Sequence, residues 1–206
     1  AVSVMQRNVT IVDTLWPVLF ILAAVTYAAA GPAGPRAWLL VALVGLWGAR
    51  LAIYLAWRNF GHDEDRRYQA IRRRNEPNFA LKSLYLIFGF QAVLAGVISL
   101  PLAGAAAGTP PLGWLDAAGV AAWVVGIVFE AGGDWQLARF KRDPANAGQV
   151  MDRGLWRYTR HPNYFGDFCV WWGFYLIALA TTSAWWTIIS PILMSVLLIR
   201  VSGAAL

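Results

Sequence analysis

The sequence is poor in charge, cysteine and histidine. Only 14% of its 206 residues are charged and 59% are hydrophobic, whereas soluble domains carry about 25% charged residues. Cys169 is the single cysteine, so no disulfide can form within the chain, and no Cys/His spacing typical of a zinc site occurs. We interpret Cys169, inside an apolar run, as a small buried hydrophobic residue. The composition therefore indicates a polytopic membrane protein.

The chain also lacks the glycine-rich motifs of soluble nucleotide-binding domains. It has neither a Gly-x-Gly-x-x-Gly sequence nor a Walker loop, which excludes a Rossmann unit or a P-loop as the holder of a nucleotide. Residues 1–10 have no apolar core of the kind a signal peptide needs. Residues 201–206 contain no charged residue that would flank a membrane helix. We therefore expect that both ends are trimmed from a longer protein.

Six apolar runs approach the length of about 20 residues that a helix needs to cross a bilayer. We predict an all-α polytopic membrane protein, a single transmembrane domain over residues 1–206. Ser183 is the expected N-cap of the last helix. The predicted helices span residues 11–30, 37–57, 83–102, 114–130, 164–181 and 184–201.

The basic residues are concentrated in two long polar loops. The loop 58–82 holds seven Lys and Arg residues and the loop 131–163 holds six, whereas the opposite connections hold only Arg36. Since the positive-inside rule places such loops in the cytosol, we expect a multi-pass protein, of a bacterial inner membrane, with its functional site facing the cytoplasm. This distribution explains the net charge of +6 without a nucleic acid partner.

The stretch 154–167 combines many hydrogen-bonding side chains and then continues directly into an apolar run. Pro162 can open a helix there, and a well-capped helix start is the purely structural interpretation. That interpretation leaves Asp167 unexplained, because an acid one turn inside an apolar helix is costly.

Asp13 lies near the start of the first predicted helix. It is either an acid that complements the helix dipole or a carboxylate at the edge of a cavity, able to donate a proton. Arg50 and Tyr54 are one turn apart and share a face, although Arg50, like Arg200, can also reach the membrane interface by extending its side chain.

Two further charged segments remain open to interpretation. The stretch 61–68 mixes acids and bases and reads as a self-paired surface loop, while the basic triplet 72–74 can bind anionic lipid headgroups. Glu130 and Asp134 share a helix face, and bases follow at 139–142. Acids suit ribose hydroxyls and amides, and bases suit phosphates, so this end of the helix matches a nucleotide-type cofactor.

The sequence Arg-His-Pro-Asn-Tyr-Phe-Gly-Asp at 160–167, followed by Trp-Trp-Gly at 171–173, resembles the membrane 3-oxo-5α-steroid 4-dehydrogenase (steroid 5α-reductase) family, in its bacterial, DUF1295-like branch. The resemblance implies seven transmembrane helices, with substrate-cavity helices in 1–113 and cofactor-binding helices and the cytosolic loop in 114–206. The seventh helix would precede Ala1, and a further cofactor segment would follow Leu206.

The same resemblance implies the roles of individual residues. Asp13 and Tyr54 are the expected catalytic residues, and Trp47 stands where the family has the tyrosine that pairs with its catalytic acid. NADPH is the expected cofactor. The expected cofactor-binding residues are Arg50, Tyr54, Arg58, Asn59, Glu130, Asp134, Lys141, Arg142, Arg157, Tyr158, Arg160, His161, Asn163, Tyr164, Asp167 and Arg200.

We therefore expect NADPH-dependent reduction of the C=C bond of a lipophilic enone, foremost a 3-oxo-Δ4 steroid. A lipophilic, steroid-like substrate and membrane lipid are the expected partners of a monomeric protein. The alternative is an S-adenosylmethionine-dependent methyltransferase of the isoprenylcysteine or phospholipid type, which shares the Arg-His-Pro stretch but continues into an Arg-x-x-Glu-Glu pattern that is missing after Arg200. A non-enzymatic lipid-binding protein is the third hypothesis.

Overall fold

A computed structural model describes residue 3 and residues 8–201 of the chain, and this part contains helices and no strand. The last residues compared with the methyltransferase pattern, 202 and 203, lie outside it. Helix α4 contains a π-helical segment, Leu84–Gly89, and α8 lies between a 3-10 segment, Thr182–Ile188, and a π-helical one, Leu197–Val201. The helices are α1 Ile11–Ala30, α2 Pro35–Asn59, α3 Arg66–Asn75, α4 Phe79–Ile98, α5 Leu100–Ala106, α6 Trp114–Arg142, α7 Pro162–Leu179 and α8 Ile189–Val196.

Several predicted boundaries are wrong. The fourth predicted helix ends at residue 130, but α6 continues to Arg142, because its last turn carries three basic residues that suit the negative end of the helix dipole. The predicted third helix is interrupted at Ser99, which lies between the end of α4 at Ile98 and the start of α5 at Leu100. Ser183 is not an N-cap, since the last helical segment starts at Thr182 without any side-chain cap.

Five helices in the described part are long and apolar enough to cross a membrane: α1, α2, α4, α6 and the segment Ser183–Arg200. Helix α7 is not among them, although it contributes many of the most deeply buried residues of the bundle. The chain thus has the helices of a multi-pass membrane protein, while the count of six, or seven, stays a prediction.

The centre of the bundle is an aromatic cluster. Trp47 of α2 and Trp171 of α7 are fully buried, and their ring centroids lie 5.7 Å apart at an interplanar angle of 85°. Phe20 of α1 packs edge-on against Trp171 at 4.7 Å. Such edge-to-face pairs are the preferred geometry for aromatic rings, so the cluster fixes α1, α2 and α7 relative to each other.

Helices α6 and α7 approach each other through glycines. Gly119 and Gly126 of α6 face Gly173 and Gly166 of α7, and a Cβ atom added to Gly126 would lie only 2.6 Å from the carbonyl oxygen of Gly166. Small residues are the usual means of close helix packing in membranes. This contact brings the acids of α6 beside the first turns of α7.

Both basic loops lie at the same end of the bundle, which we call the basic end. Tyr68, in the first loop, contacts Asp13 at the start of α1, and the guanidinium of Arg142 lies 5.2 Å from the ring centroid of Trp57 at the end of α2. This is the arrangement that alternating membrane crossings predict. The side of the membrane on which this end lies stays a prediction.

Candidate active site

A cavity of about 370 Å³ opens at the basic end, between α1, α2, α3, α4, α6, α7, α8 and the segment after α8. Its lining combines apolar side chains with acids, arginines and amides. Its lining consists of Asp13, Trp16, Leu51, Tyr54, Leu55, Arg58, Arg67, Tyr68, Phe90, Gln91, Leu94, Glu130, Asp134, Asn163, Tyr164, Asp167, Met194, Leu197 and Leu198.

An acid–phenol pair forms one wall of the cavity. The Tyr68 hydroxyl donates a hydrogen bond to Oδ1 of Asp13 at 2.6 Å, while Nε2 of Gln91 donates to the Tyr68 oxygen at 3.3 Å. Burial raises the pKa of the Tyr68 phenol above its ordinary value, and the neighbouring Asp13 adds to this effect. The phenol therefore stays protonated and available as a donor.

The position of Tyr68 depends on how α3 is anchored to the start of the chain. Asp65 caps α3 by accepting from the Arg67 amide at 2.9 Å, and the Asp65 amide donates to Oγ1 of Thr10 at 2.9 Å. Glu64 accepts from the Val9 amide at 3.0 Å and from Arg72 at 2.7 Å. Burial opposes ionisation of Glu64, but these hydrogen bonds prevail and lower its pKa.

A cluster of charges around Arg50, on α2, α6 and α7, forms a second wall. Arg50 of α2 pairs with Glu130 and donates to Oδ2 of Asp134 at 2.8 Å, so it bridges to two acids on α6. The indole N–H of Trp47 donates to the other oxygen of Glu130 at 2.9 Å. Asp167 of α7 lies within electrostatic reach of Glu130 and Arg50. Acids thus outnumber bases at this wall.

Two buried acceptors in this wall, Oδ1 of Asn163 and Oδ1 of Asp167, make no hydrogen bond of good geometry with the described residues, although the Trp171 indole lies close enough to interact with the Asp167 carboxylate. Both residues line the cavity. Buried polar atoms are nearly always hydrogen-bonded in folded proteins, and an unpaired one costs about 1–3 kcal/mol. Their presence in a cavity wall therefore marks the place where a ligand with N–H groups would bind. Both residues lie in the first two turns of α7, which starts at Pro162.

The structure brings together half of the predicted site residues. Those that line the cavity are Asp13, Tyr54, Arg58, Glu130, Asp134, Asn163, Tyr164 and Asp167. Arg50 is not part of the lining, but it forms ion pairs with two of these acids, Glu130 and Asp134. Their chemical roles stay predictions.

The remaining predicted residues are dispersed. Arg142 lines a groove between α2 and α6, whereas Arg160 and His161 line another between α7 and the end of α8, where the His161 ring stacks on Tyr164 at 5.0 Å. Arg157 belongs to a shallow surface depression of the second basic loop. The other four line neither the cavity nor these three sites: Asn59, Lys141, Tyr158 and Arg200.

Trp47 is fully buried and its indole N–H donates to Glu130. Its correspondence to the tyrosine of the family stays a prediction. The phenol that pairs with Asp13 comes from Tyr68, which the sequence places in a segment that reads as a self-paired loop. Gln91 was missed as well. Its only signal is its polarity within the apolar run that forms α4, which does not show the face it occupies.

Comparison with known proteins identifies a family but no activity. A curated relative, an uncharacterized protein of Schizosaccharomyces pombe, is 29% identical over 217 residues, which cover 91% of this chain and 63% of the relative. The chain therefore spans less than two thirds of that protein. No solved structure matches the chain. A family model described as "Protein of unknown function (DUF1295)" matches residues 1–206, and the chain therefore belongs to the DUF1295 family.

Proposed function

We propose that this protein reduces the C=C bond of a lipophilic enone with NADPH, and that a 3-oxo-Δ4 steroid is the first candidate substrate. The observation that carries the proposal is the cavity with two unlike walls. A protonated phenol on an acid lies at one wall, and unpaired amide and carboxylate oxygens lie at the other. The resemblance of the 160–173 stretch to steroid 5α-reductases supports the same reaction.

The Asp13–Tyr68 pair would polarise the substrate carbonyl. A hydrogen bond to that oxygen stabilises the enolate that develops when the β-carbon accepts a hydride. A phenol has one proton, so Tyr68 donates either to Asp13, as in this structure, or to the substrate. Gln91, which donates to the phenol oxygen, limits its rotation. A proton from the medium, added at the α-carbon, completes the reduction.

The second wall, around Arg50, fits the nicotinamide end of NADPH. The unpaired oxygens of Asn163 and Asp167 would accept from the carboxamide N–H groups, and Glu130 and Asp134 are acceptors for ribose hydroxyls. When bound, NADPH supplies the hydride. The side chains of this wall would hold the nicotinamide ring and exclude water, while Arg50 stays paired with Glu130 and Asp134.

The apolar residues of the cavity lining fit the substrate. It presents Trp16, Leu51, Leu55, Phe90 and Leu94, which is the apolar lining typical of small-molecule sites. The volume of about 370 Å³ is near the lower end of the roughly 300–1,000 Å³ of ligand pockets. It therefore accommodates the reacting ends of two ligands, with the rest of each outside.

The experiment begins with ligand-induced thermal shifts of the detergent-solubilised protein, using NADPH, NADH and S-adenosylmethionine. We expect stabilisation by NADPH, followed by oxidation of NADPH when 3-oxo-Δ4 steroids and simpler lipophilic enones are added. Stabilisation by S-adenosylmethionine and not by NADPH would contradict the proposal and favour methyl transfer.

Substitutions at the acid–phenol pair test its role. Tyr68→Phe should lower kcat by about 10²–10³-fold, as the loss of an oxyanion donor does, without weakening NADPH binding. Asp13→Asn should also lose turnover and keep NADPH binding. Tyr27→Phe is the matched control, because the Tyr27 hydroxyl forms a hydrogen bond with Oγ of Ser99 at 3.0 Å and neither residue lines the cavity. Turnover of Tyr68→Phe equal to that of Tyr27→Phe would exclude the donor role.

A further inference from the structure

A second concave site at the basic end, the α2/α6 groove, has a volume of about 450 Å³. Trp57 at the end of α2 and Trp135, Arg139 and Arg142 near the end of α6 line it, together with Tyr54 and Asp134, which also line the cavity. The groove is therefore a neighbour of the candidate active site and separate from its acid–phenol pair.

Of the three arginines that line the groove, Arg50 pairs with acids of α6, whereas Arg139 and Arg142 contact tryptophans. The Arg139 guanidinium lies 5.6 Å from the ring centroid of Trp135, and that of Arg142 lies 5.2 Å from that of Trp57. Within residues 8–201 neither arginine takes part in an ion pair. Stacking on an indole face orients a guanidinium and leaves its N–H edge free, which suits a bidentate contact with a phosphate.

The basic triplet that the sequence suggested for lipid binding differs in this respect. Arg72 donates to Glu64 at 2.9 and 2.7 Å, and its guanidinium lies 4.4 Å from the ring centroid of Phe79. Arg73 and Arg74 are exposed on α3 and do not line the α2/α6 groove. Arg72 also lines a cavity, of about 610 Å³, but its guanidinium is paired there with Glu64. Of these two basic regions, only the groove therefore combines a concave surface with arginines that have no acid partner among the described residues.

The location of the groove corresponds to the headgroup level of a membrane. It lies where two membrane-length helices end, and Trp57 and Trp135 are 52% and 61% exposed there, as expected for residues of an interfacial aromatic belt. One turn deeper on α2 and two turns deeper on α6, Ile53 and Val128 are exposed apolar residues on the same faces. A polar headgroup site is thus continuous with an acyl-chain surface.

We propose that the α2/α6 groove binds one anionic phospholipid, with its phosphate on Arg139 and Arg142 and its acyl chains along α2 and α6. Basic pockets between transmembrane helices on the cytoplasmic side are known lipid headgroup sites. This proposal goes beyond the proposed reductase activity and does not depend on it. Because Tyr54 and Asp134 are shared, the bound lipid supports the wall of the cavity that carries Arg50.

The test measures lipid binding by the purified, detergent-solubilised chain with native mass spectrometry. Phosphatidylglycerol is the anionic probe and phosphatidylcholine the zwitterionic one. The double variant Arg139→Gln/Arg142→Gln should bind phosphatidylglycerol about 30-fold more weakly than the wild type, since each basic residue near a membrane surface contributes about 1 kcal/mol. Arg139→Lys/Arg142→Lys should retain part of the affinity, because the charge remains and the bidentate geometry is lost.

The matched control is Arg73→Gln/Arg74→Gln, which removes the same charge from an exposed part of the same end. It should keep the preference for phosphatidylglycerol. Equal losses in both double variants would indicate diffuse surface attraction and overturn the proposal. Undiminished phosphatidylglycerol binding by Arg139→Gln/Arg142→Gln, with NADPH binding lost in its place, would also overturn it, because the groove would then hold the phosphates of a dinucleotide.

Discussion

Two buried guanidinium groups connect α2 to α6, and their surroundings differ. Arg36 pairs with Asp116 and Arg50 pairs with Glu130, so the two connections are fourteen residues apart on both helices, or about 21 Å along each axis. The two helices therefore run side by side in the same direction, with one ionic connection at each end of the contact.

The connection at the opposite end is satisfied and closed. Arg36 is 1% exposed, contacts both oxygens of Asp116 at 2.7 and 2.9 Å, and also donates to the carbonyl oxygens of Pro110 and Pro111. Asp116 accepts in addition from the Gly113 amide at 2.8 Å. One base matches one acid there, and the local backbone takes up the remaining hydrogen bonds.

The connection at the basic end has surplus acceptors and an opening. Two acids of α6 share Arg50, Asp167 adds a third carboxylate nearby, and the Asp167 and Asn163 oxygens are left unpaired beside a cavity. The contrast shows that a buried charge stabilises helix packing where all its hydrogen bonds are made within the protein, as at Arg36. Where acceptors remain unsatisfied, the same type of contact forms a wall for a ligand.

The largest expected effect is the loss of the closed connection. Asp116→Asn leaves the Arg36 charge buried without its counterion, and we expect a destabilisation of about 3–5 kcal/mol, measured by reversible unfolding in detergent. The double variant Arg36→Met/Asp116→Leu should recover most of this loss, because replacing a whole buried pair with apolar residues is often neutral. Equal destabilisation by the single and the double variant would contradict the assignment of a paired charge.

A smaller effect on stability is expected at the open connection. Glu130→Gln removes one of the surplus acids, and Arg50 keeps Asp134. The substitution replaces one carboxylate oxygen by an amide NH₂ group, so either Trp47 or Arg50 loses its acceptor. The free energy of unfolding should therefore fall by about 1–2 kcal/mol, which is less than for Asp116→Asn. The stabilisation by NADPH should fall more clearly than the stability of the free protein. A loss of stability as large as that of Asp116→Asn would show that both connections are equally structural.

The smallest effect is expected in the dependence of turnover on pH. Burial raises the pKa of Tyr68 above its ordinary value of 10.0, so the neutral phenol persists below that pH and is lost only as the pH rises through the higher value in the folded protein. The kcat should therefore show no loss from phenol ionisation between neutral pH and 10.0. A falling limb well below 10.0 that is absent from Tyr68→Phe would contradict this placement of the phenol.

Much of the fold was predictable from hydropathy because length and apolar content decide which helices can cross a membrane. The first helix has the predicted bounds, and the second extends the prediction by two residues at each end. The continuation of α6 to Arg142 was not predictable in this way, since its last three turns are polar and gain their support from α7 and the dipole. The same extension creates the α2/α6 groove.

The sequence by itself determined the membrane class, the two basic loops and the polar residues of the wall around Arg50. It did so because polar groups within apolar runs are rare and costly. Only the tertiary structure decided that Tyr68, fifty-five residues further along the chain, is the hydrogen-bond partner of Asp13. The same holds for the hydrogen bond from Trp47 to Glu130. Pairing across that distance depends on how α3 folds back onto α1, and local sequence patterns do not encode the face that such a helix presents.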